Sequence, residues 1–213
     1  MNKIDFKKTL RGYRAKHGVF DTLTMPPLQY LMVDGHGDPN SSPDFTSAIE
    51  TLYPLAYALK FFSKNELGRD YVVPPFEGLW WAEDMSTFTS ARDKSQWDFT
   101  LMLLVPDWLD QSHLDHASTL SAQRKTLPRL GDLRMTTLHE GTSIQTLHIG
   151  PFDTEGPVLE LMHTDVIPAA GFEMTGRHHE IYLSDLRRTA PEKLRTVLRQ
   201  PVQTTAAGRS TAN

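Results

Sequence analysis

Leu28-Gln29-Tyr30-Leu31-Met32-Val33 runs into Asp34-Gly35-His36-Gly37-Asp38-Pro39, and Ser42-Pro43 follows. The short apolar and aromatic run predicts a buried strand. The cluster of Asp, Gly and Pro predicts a turn that ends it. Ser42 then suits a helix N-cap, with Pro43 at the first helical position. Phe45, Ile49, Leu52, Ala56 and Leu59 fall on one helical stripe, with Tyr53 and Tyr57 on its flank. This spacing predicts a helix to about Ser63, kinked at Pro54.

Working outward, a short strand is expected at Tyr71-Val72-Val73, a longer one from Gly78 to Glu83, and another from Asp98 to Val105. A helix from Pro106 to about Lys125 follows. The order then returns. Strands are predicted from Arg134 to His139 and Thr142 to His148, and Gly150-Pro151-Phe152 makes a turn. A helix follows from Asp153 to Asp165, then strands from Gly171 to Thr175 and His178 to Leu183. Ala190-Pro191-Glu192-Lys193-Leu194 begins a last short helix. Tyr30 to Asp38 parallels Gln145 to Asp153.

The chain thus divides into an N-terminal arm (1–25), a domain of two repeats (26–202; repeats about 26–106 and 133–186) and a flexible tail (203–213). A duplicated fold usually binds its ligand at the pseudo-twofold junction, where neither half alone can cover it.

Composition narrows the function. The 213 residues are 39% hydrophobic and 23% charged, enough to form a packed core. The net charge of −4 offers no basic surplus for nucleic acid. Without cysteine, disulfides and thiolate chemistry are excluded. No stretch reaches the roughly 20 apolar residues of a membrane span, and no signal peptide is read, so a cytoplasmic location is expected. Oligomeric state is left open.

The chemistry centres on Arg177-His178-His179-Glu180-Ile181-Tyr182-Leu183-Ser184. Strand alternation puts His179, Ile181 and Leu183 on one face and His178, Glu180, Tyr182 and Ser184 on the other. The apolar pair Ile181 and Leu183 is expected to face the helices. Alternation alone reads Glu180 equally well as a solvated surface carboxylate. The aromatic supply favours a site: four Trp, six Tyr and ten Phe. In Trp80-Trp81, one indole must point away from the helix layer. Trp97, Tyr71, Phe76, Phe152 and Phe172 sit at element edges. If they converge on one face they form an aromatic cage.

No metal is expected. His178 and His179 point to opposite faces, and His113 and His116 lack a third ligand. Gly35-His36-Gly37 is a turn, not a phosphate loop, so no cofactor is expected either.

Four stretches together resemble the GyrI-like family. They are Met32 to Asn40, Glu77-Gly78-Leu79-Trp80-Trp81, the Phe99-to-Pro106 strand, and His178 to Asp185 with Arg187 to Leu194. The resemblance implies an α+β fold: duplicated strand-helix-strand-strand modules in one largely antiparallel sheet, helices on one face and a ligand groove on the other. It also implies a glutamate on the groove floor, carried here by Glu180. Drug-sensing relatives join this domain to a DNA-binding helix-turn-helix, for which the first 25 residues are too few. The expectation is a stand-alone domain.

Members with the Trp-Trp strand resemble hydrolases of cyclopropane-bearing DNA alkylators, which implies detoxification by ring-opening with water. A carboxylate among aromatics can act as general base to that water. Tyr57, then Tyr53 or Tyr182, is the expected donor to the developing oxyanion. Trp80, Trp81 and Trp97 would stack on the substrate, with His178 and Tyr182 beside it. The alternative is a binding module that sequesters apolar, often cationic, molecules without turnover. A weaker third reading is gyrase inhibition, for which the chain has no DNA-like acidic run.

Overall fold

The computed structural model describes residues 3–84, 87, 93–185 and 188–205. Arg187 of the quoted motif and residues 206–213 of the expected tail lie outside them. The strands are β1 (Asp21–Met25), β2 (Leu28–His36), β3 (Phe76–Trp81), β4 (Asp98–Leu104), β5 (Arg134–Leu138), β6 (Gly141–Ile149), β7 (Phe172–Met174), β8 (His178–Tyr182) and β9 (Arg195–Thr204). The α-helical segments are α1 (Phe6–Thr9), α2 (Pro43–Asn65), α3 (Gln111–Ala122), α4 (Gly156–Leu161) and α5 (Ile167–Ala169). A π-helical turn, Met162–Val166, joins the last two.

The fold is α+β, and the named strands pair antiparallel in the order β1-β6-β9-β8-β3-β4-β2-β5, with β7 added on β9. This order is that of a duplication. β1 and β2 with α2, β3 and β4 correspond to β5 and β6 with α4, α5, β8 and β9. Each half lends its first strand to the other: β1 pairs with β6, and β5 with β2. The seam is β3 against β8, where Gly78 faces Glu180. In the first half Gly78 pairs with Leu101, as Glu180 pairs with Leu198 in the second. The pseudo-twofold therefore passes through the Gly78–Glu180 pair.

Several elements differ from the sequence reading. β2 continues through Asp34-Gly35-His36, because β4 supplies partners as far as Asp98. Ser42 precedes α2 but spends its hydroxyl on the His36 carbonyl, 2.8 Å away, instead of capping the helix. α2 runs through Pro54 unbroken. Tyr71 makes only an isolated bridge, to Ile4. Pro191–Lys193 is a single 3₁₀ turn that leads into β9, and Gln203 and Thr204 belong to that strand. β1 and the bridges at Ile4 and His17 tie the first 25 residues to the rest of the fold.

Both sheet faces are covered. On one, α2 packs Leu52, Leu55 and Leu59 against Leu31, Leu101 and Leu103. On the same face Met162 and Ile167 pack against Ile144 and Leu198. The opposite face is covered near the seam by the N-terminal segment, whose Tyr13 and Ala15 pack on Leu147, Ile181 and Val197. Ile181 therefore faces away from the helices, and Glu180 faces toward them. This reverses the expected orientation: alternation sets which residues share a face, not what covers it, and the N-terminal segment gives Ile181 its own apolar cover.

A charged cluster is buried under that segment. Glu77 and the His179 side chain are fully buried, with His179 Nε2 2.8 Å from Glu77 Oε2. His179 Nδ1 lies 2.8 Å from Glu140, whose other oxygen accepts from Arg199 at 2.7 Å. Tyr13 and Tyr30 both donate to Glu77. Arg199 also donates to the Gly12 carbonyl, at 2.8 Å, which pins the N-terminal segment to β9. Burial alone would raise the Glu140 carboxyl, but His179 and Arg199 outweigh it and hold it at about 2. Burial opposes charge on His179, yet Glu140 and Glu77 keep its pKa above the ordinary value. Two anions and two cations thus balance out of water, where each lone charge would be costly.

The pH dependence follows from these signs. Glu140, depressed on folding, contributes stability above its unfolded pKa of about 4.3, lost as pH falls toward 2. His179, raised on folding, contributes fully below about 6.5 and loses its share as pH rises through the folded pKa. Glu140→Ala should cost about 3–5 kcal/mol and flatten the acid limb. Chemical denaturation at several pH values checks both.

Candidate functional site

A cleft of about 190 Å³ opens between α2 and α4 over the β3–β8 seam. It lies on the helix-bearing face, in the gap between the two helices, and not across the sheet from them; the N-terminal segment seals the other face at the seam. Glu180 and Tyr182 from β8 and Phe76 and Trp80 from β3 line it. Trp97, Phe152 and Leu159 form further wall.

The aromatic walls brace one another. Phe76 stacks on Tyr182 at 5.8 Å, and Tyr53 stacks behind Phe76 at 5.8 Å. Trp80 meets Phe45 at 6.3 Å and Trp97 edge-on at 5.9 Å. Phe152 stands edge-on to Tyr182 at 5.6 Å. Such offset and edge-to-face pairs favour rigid apolar walls suited to a flat ring.

Along the floor runs a hydrogen-bonded chain. Trp80 Nε1 donates to the Tyr182 hydroxyl at 3.0 Å, which donates to Glu180 Oε2 at 2.8 Å. Burial, then the neighbouring Glu180, raises the Tyr182 pKa well above its ordinary value, so its proton stays on the phenol. The Glu180 side chain is 14% exposed, so its carboxylate is neither solvated surface nor sealed core. Gly78 makes the chain possible. A Cβ there would stand 2.9 Å from Trp80 Nε1 and 3.4 Å from the Tyr182 hydroxyl. The pseudo-twofold could repeat the glutamate at position 78, but the first half holds a glycine there.

The structure gathers Glu180, Trp80, Trp97, Phe76, Phe152 and Tyr182 at the cleft. His178 lies buried beside Glu180, its Nε2 3.7 Å from Oε1. The other expected residues are placed elsewhere. Tyr57 is 48% exposed on the outer side of α2, near Phe61. Tyr53 buttresses Phe76 without lining the cleft. Trp81 points to the opposite face of the sheet, under the Arg177 guanidinium at 3.4 Å. Tyr71 is buried against Phe6 and Trp108, and Phe172 packs near Val202. His113 and His116 flank the Phe62 ring at 5.1 and 5.5 Å.

Of the lining residues that were not foreseen, three bear on the chemistry of the cleft. Phe45 reads from sequence as helix core and serves as wall as well. Glu155 adds a second carboxylate beside the cleft, just before α4, where an acid is ordinary helix-start chemistry. Lys94 lines the cleft and pairs with Asp153 at 2.9 Å, joining the two halves.

A family model for the GyrI-like small-molecule-binding domain matches residues 20–203. The chain belongs to the GyrI-like family. An uncharacterized conserved protein of Listeria innocua is 34% identical, with a TM-score of 0.85 over 94% of this chain and all of that one. Two structures named as hydrolases of Listeria innocua are each 32% identical, with TM-scores of 0.83 and 0.80. They cover 95% and 94% of this chain, and all of their own. No curated protein matches the sequence. This GyrI-like chain is thus a small-molecule-binding domain, and among its described residues no helix is long and apolar enough to cross a membrane.

Gly78→Ala should force Trp80 aside and cost about 1–3 kcal/mol, as overpacking does. It should also weaken binding of a flat aromatic probe. Denaturation curves and quenching of tryptophan fluorescence by the probe check the two effects.

Proposed function

We propose that the cleft binds a flat, largely apolar aromatic molecule and adds water to a strained electrophilic ring within it. A cyclopropane conjugated to a dienone is the substrate class that suits the site, and Glu180 is the general base. The observation that carries this reading is the Trp80–Tyr182–Glu180 chain on the floor of an aromatic cleft. The likeness to chains named as hydrolases supports it.

The chemistry divides among these residues. The aromatic walls hold the planar part of the substrate and limit water. Tyr182 fixes Oε2, leaving Oε1 to take a proton from water. The water oxygen bonds to the ring methylene, the strained carbon–carbon bond breaks, and its electron pair becomes a phenolate on the former carbonyl oxygen. Among the described lining residues, Lys94 is the cation that can offset that charge, by turning from Asp153 toward the oxyanion. Protonation of the phenolate completes the addition of one water. Tyr182 serves here to orient the base, since its hydrogen is already committed to Glu180. The product no longer alkylates DNA, so the physiological role is detoxification.

A second reading is favoured by Glu155. Two carboxylates beside an apolar cleft also suit a lipophilic cation that is held and not converted.

Incubation with a cyclopropane-bearing alkylator, followed by mass spectrometry, separates the two. Hydrolysis predicts a product heavier by one water. It also predicts a loss of about 10²–10⁴-fold in rate for Glu180→Gln. Unchanged ligand recovered after long incubation rules hydrolysis out and leaves binding, whereas an E180Q variant as fast as the parent rules out Glu180 as the base.

A further inference from the structure

His178 has no assigned place in that chemistry, yet its position is unusual. It is 6% exposed, and both ring nitrogens are buried without a hydrogen-bond partner among the described residues. A buried imidazole left unpaired lowers stability. Costs of this kind gather at working sites, where geometry is kept at the expense of the fold. The nearest polar atom recorded for it is Glu180 Oε1, 3.7 Å from Nε2, two residues along the same strand face. That separation is too long for a hydrogen bond, about half an ångström beyond the usual N–H···O range.

We propose that His178 is a positioning residue for Glu180, its imidazole N–H donating to Oε1 when the cleft is occupied. The inference rests on the hydrolytic reading above. Tyr182 already holds Oε2, so a second donor on Oε1 fixes the plane of the carboxylate. Each oxygen keeps a lone pair, and the one on Oε1 that faces the cleft receives the proton of water. Misplacing a general base by an ångström is enough to slow a reaction about a hundredfold.

The surroundings agree. His163, from the π-helical turn, also faces this ring, edge-on with centroids 6.2 Å apart. Burial, then His178 itself, lowers the His163 pKa to about 4, so it is uncharged near neutrality and does not compete for Glu180. The strand partner of His178 in β3 is Trp80, the first donor of the floor chain. The base is then held from both sides by residues of the same two strands.

The test compares H178L and H178Q with the parent on the cyclopropane-bearing alkylator, measuring kcat, KM and melting temperature. H178L should melt no lower than the parent, since it removes an unpaired polar group. Its kcat should fall at least tenfold with KM within about twofold, as expected when only the placement of the base is lost. H178Q, which keeps an N–H, should retain more of the rate. An H178L variant that turns over normally, melts well below the parent, or matches H178Q in its loss of rate overturns the assignment. No turnover by the parent refutes the hydrolytic reading, and this inference with it. A normal H178L rate beside an active parent refutes this inference alone.

Discussion

The antiparallel pairing of β3 with β8 joins the two halves, and its register organises both sides of the sheet. With Gly78 opposite Glu180, alternate residues of the same two strands go to opposite faces. Toward the helices point Phe76, Trp80, Glu180 and Tyr182, which make the cleft. Away from them point Glu77 and His179, which make the centre of the buried ionic cluster. A slip of one residue in β8 would turn its side chains over, taking Glu180 and Tyr182 out of the cleft and His179 away from Glu77. Ionic cluster and site are thus two consequences of one register.

The pseudo-twofold runs through this pair and is broken there. Duplication alone would give two equivalent floors. Instead one half supplies a carboxylate and the other a glycine, whose missing side chain leaves room for the Trp80 indole and the Tyr182 hydroxyl to meet. A symmetric scaffold thereby yields a site with one acidic end. The exchanged strands β1 and β5 then hold the halves in a single sheet, so the floor is built on rigid elements and not on loops.

Much of this was legible in the sequence because it depends on parity and periodicity. Alternation along His178 to Ser184 groups His178, Glu180 and Tyr182 correctly on one face. The strand-helix-strand-strand order was readable from turn residues and apolar spacing. What covers each face was not. The segment that buries Ile181 is mostly polar and gains its place through Tyr13 and the Gly12 carbonyl, which no local pattern announces. β9 was hidden for a related reason: it carries Arg199, Gln200 and Pro201, residue types that seldom mark a buried strand, yet all three are buried in it. Tyr57 illustrates the limit of helical phase. One turn from Tyr53, it sits on the outer side of α2, while the phenol that reaches the glutamate comes from the same strand as the glutamate.

The central claim is that Glu180 faces a flat ligand across the cleft between α2 and α4. A crystal structure of the protein with the ring-opened product tests this most directly. The account predicts the aromatic plane beside Trp80, Trp97 and Phe152, with the new hydroxyl within about 2.6–3.2 Å of Glu180. A product bound outside the cleft, or a Glu180 carboxylate turned away from it, would contradict the account.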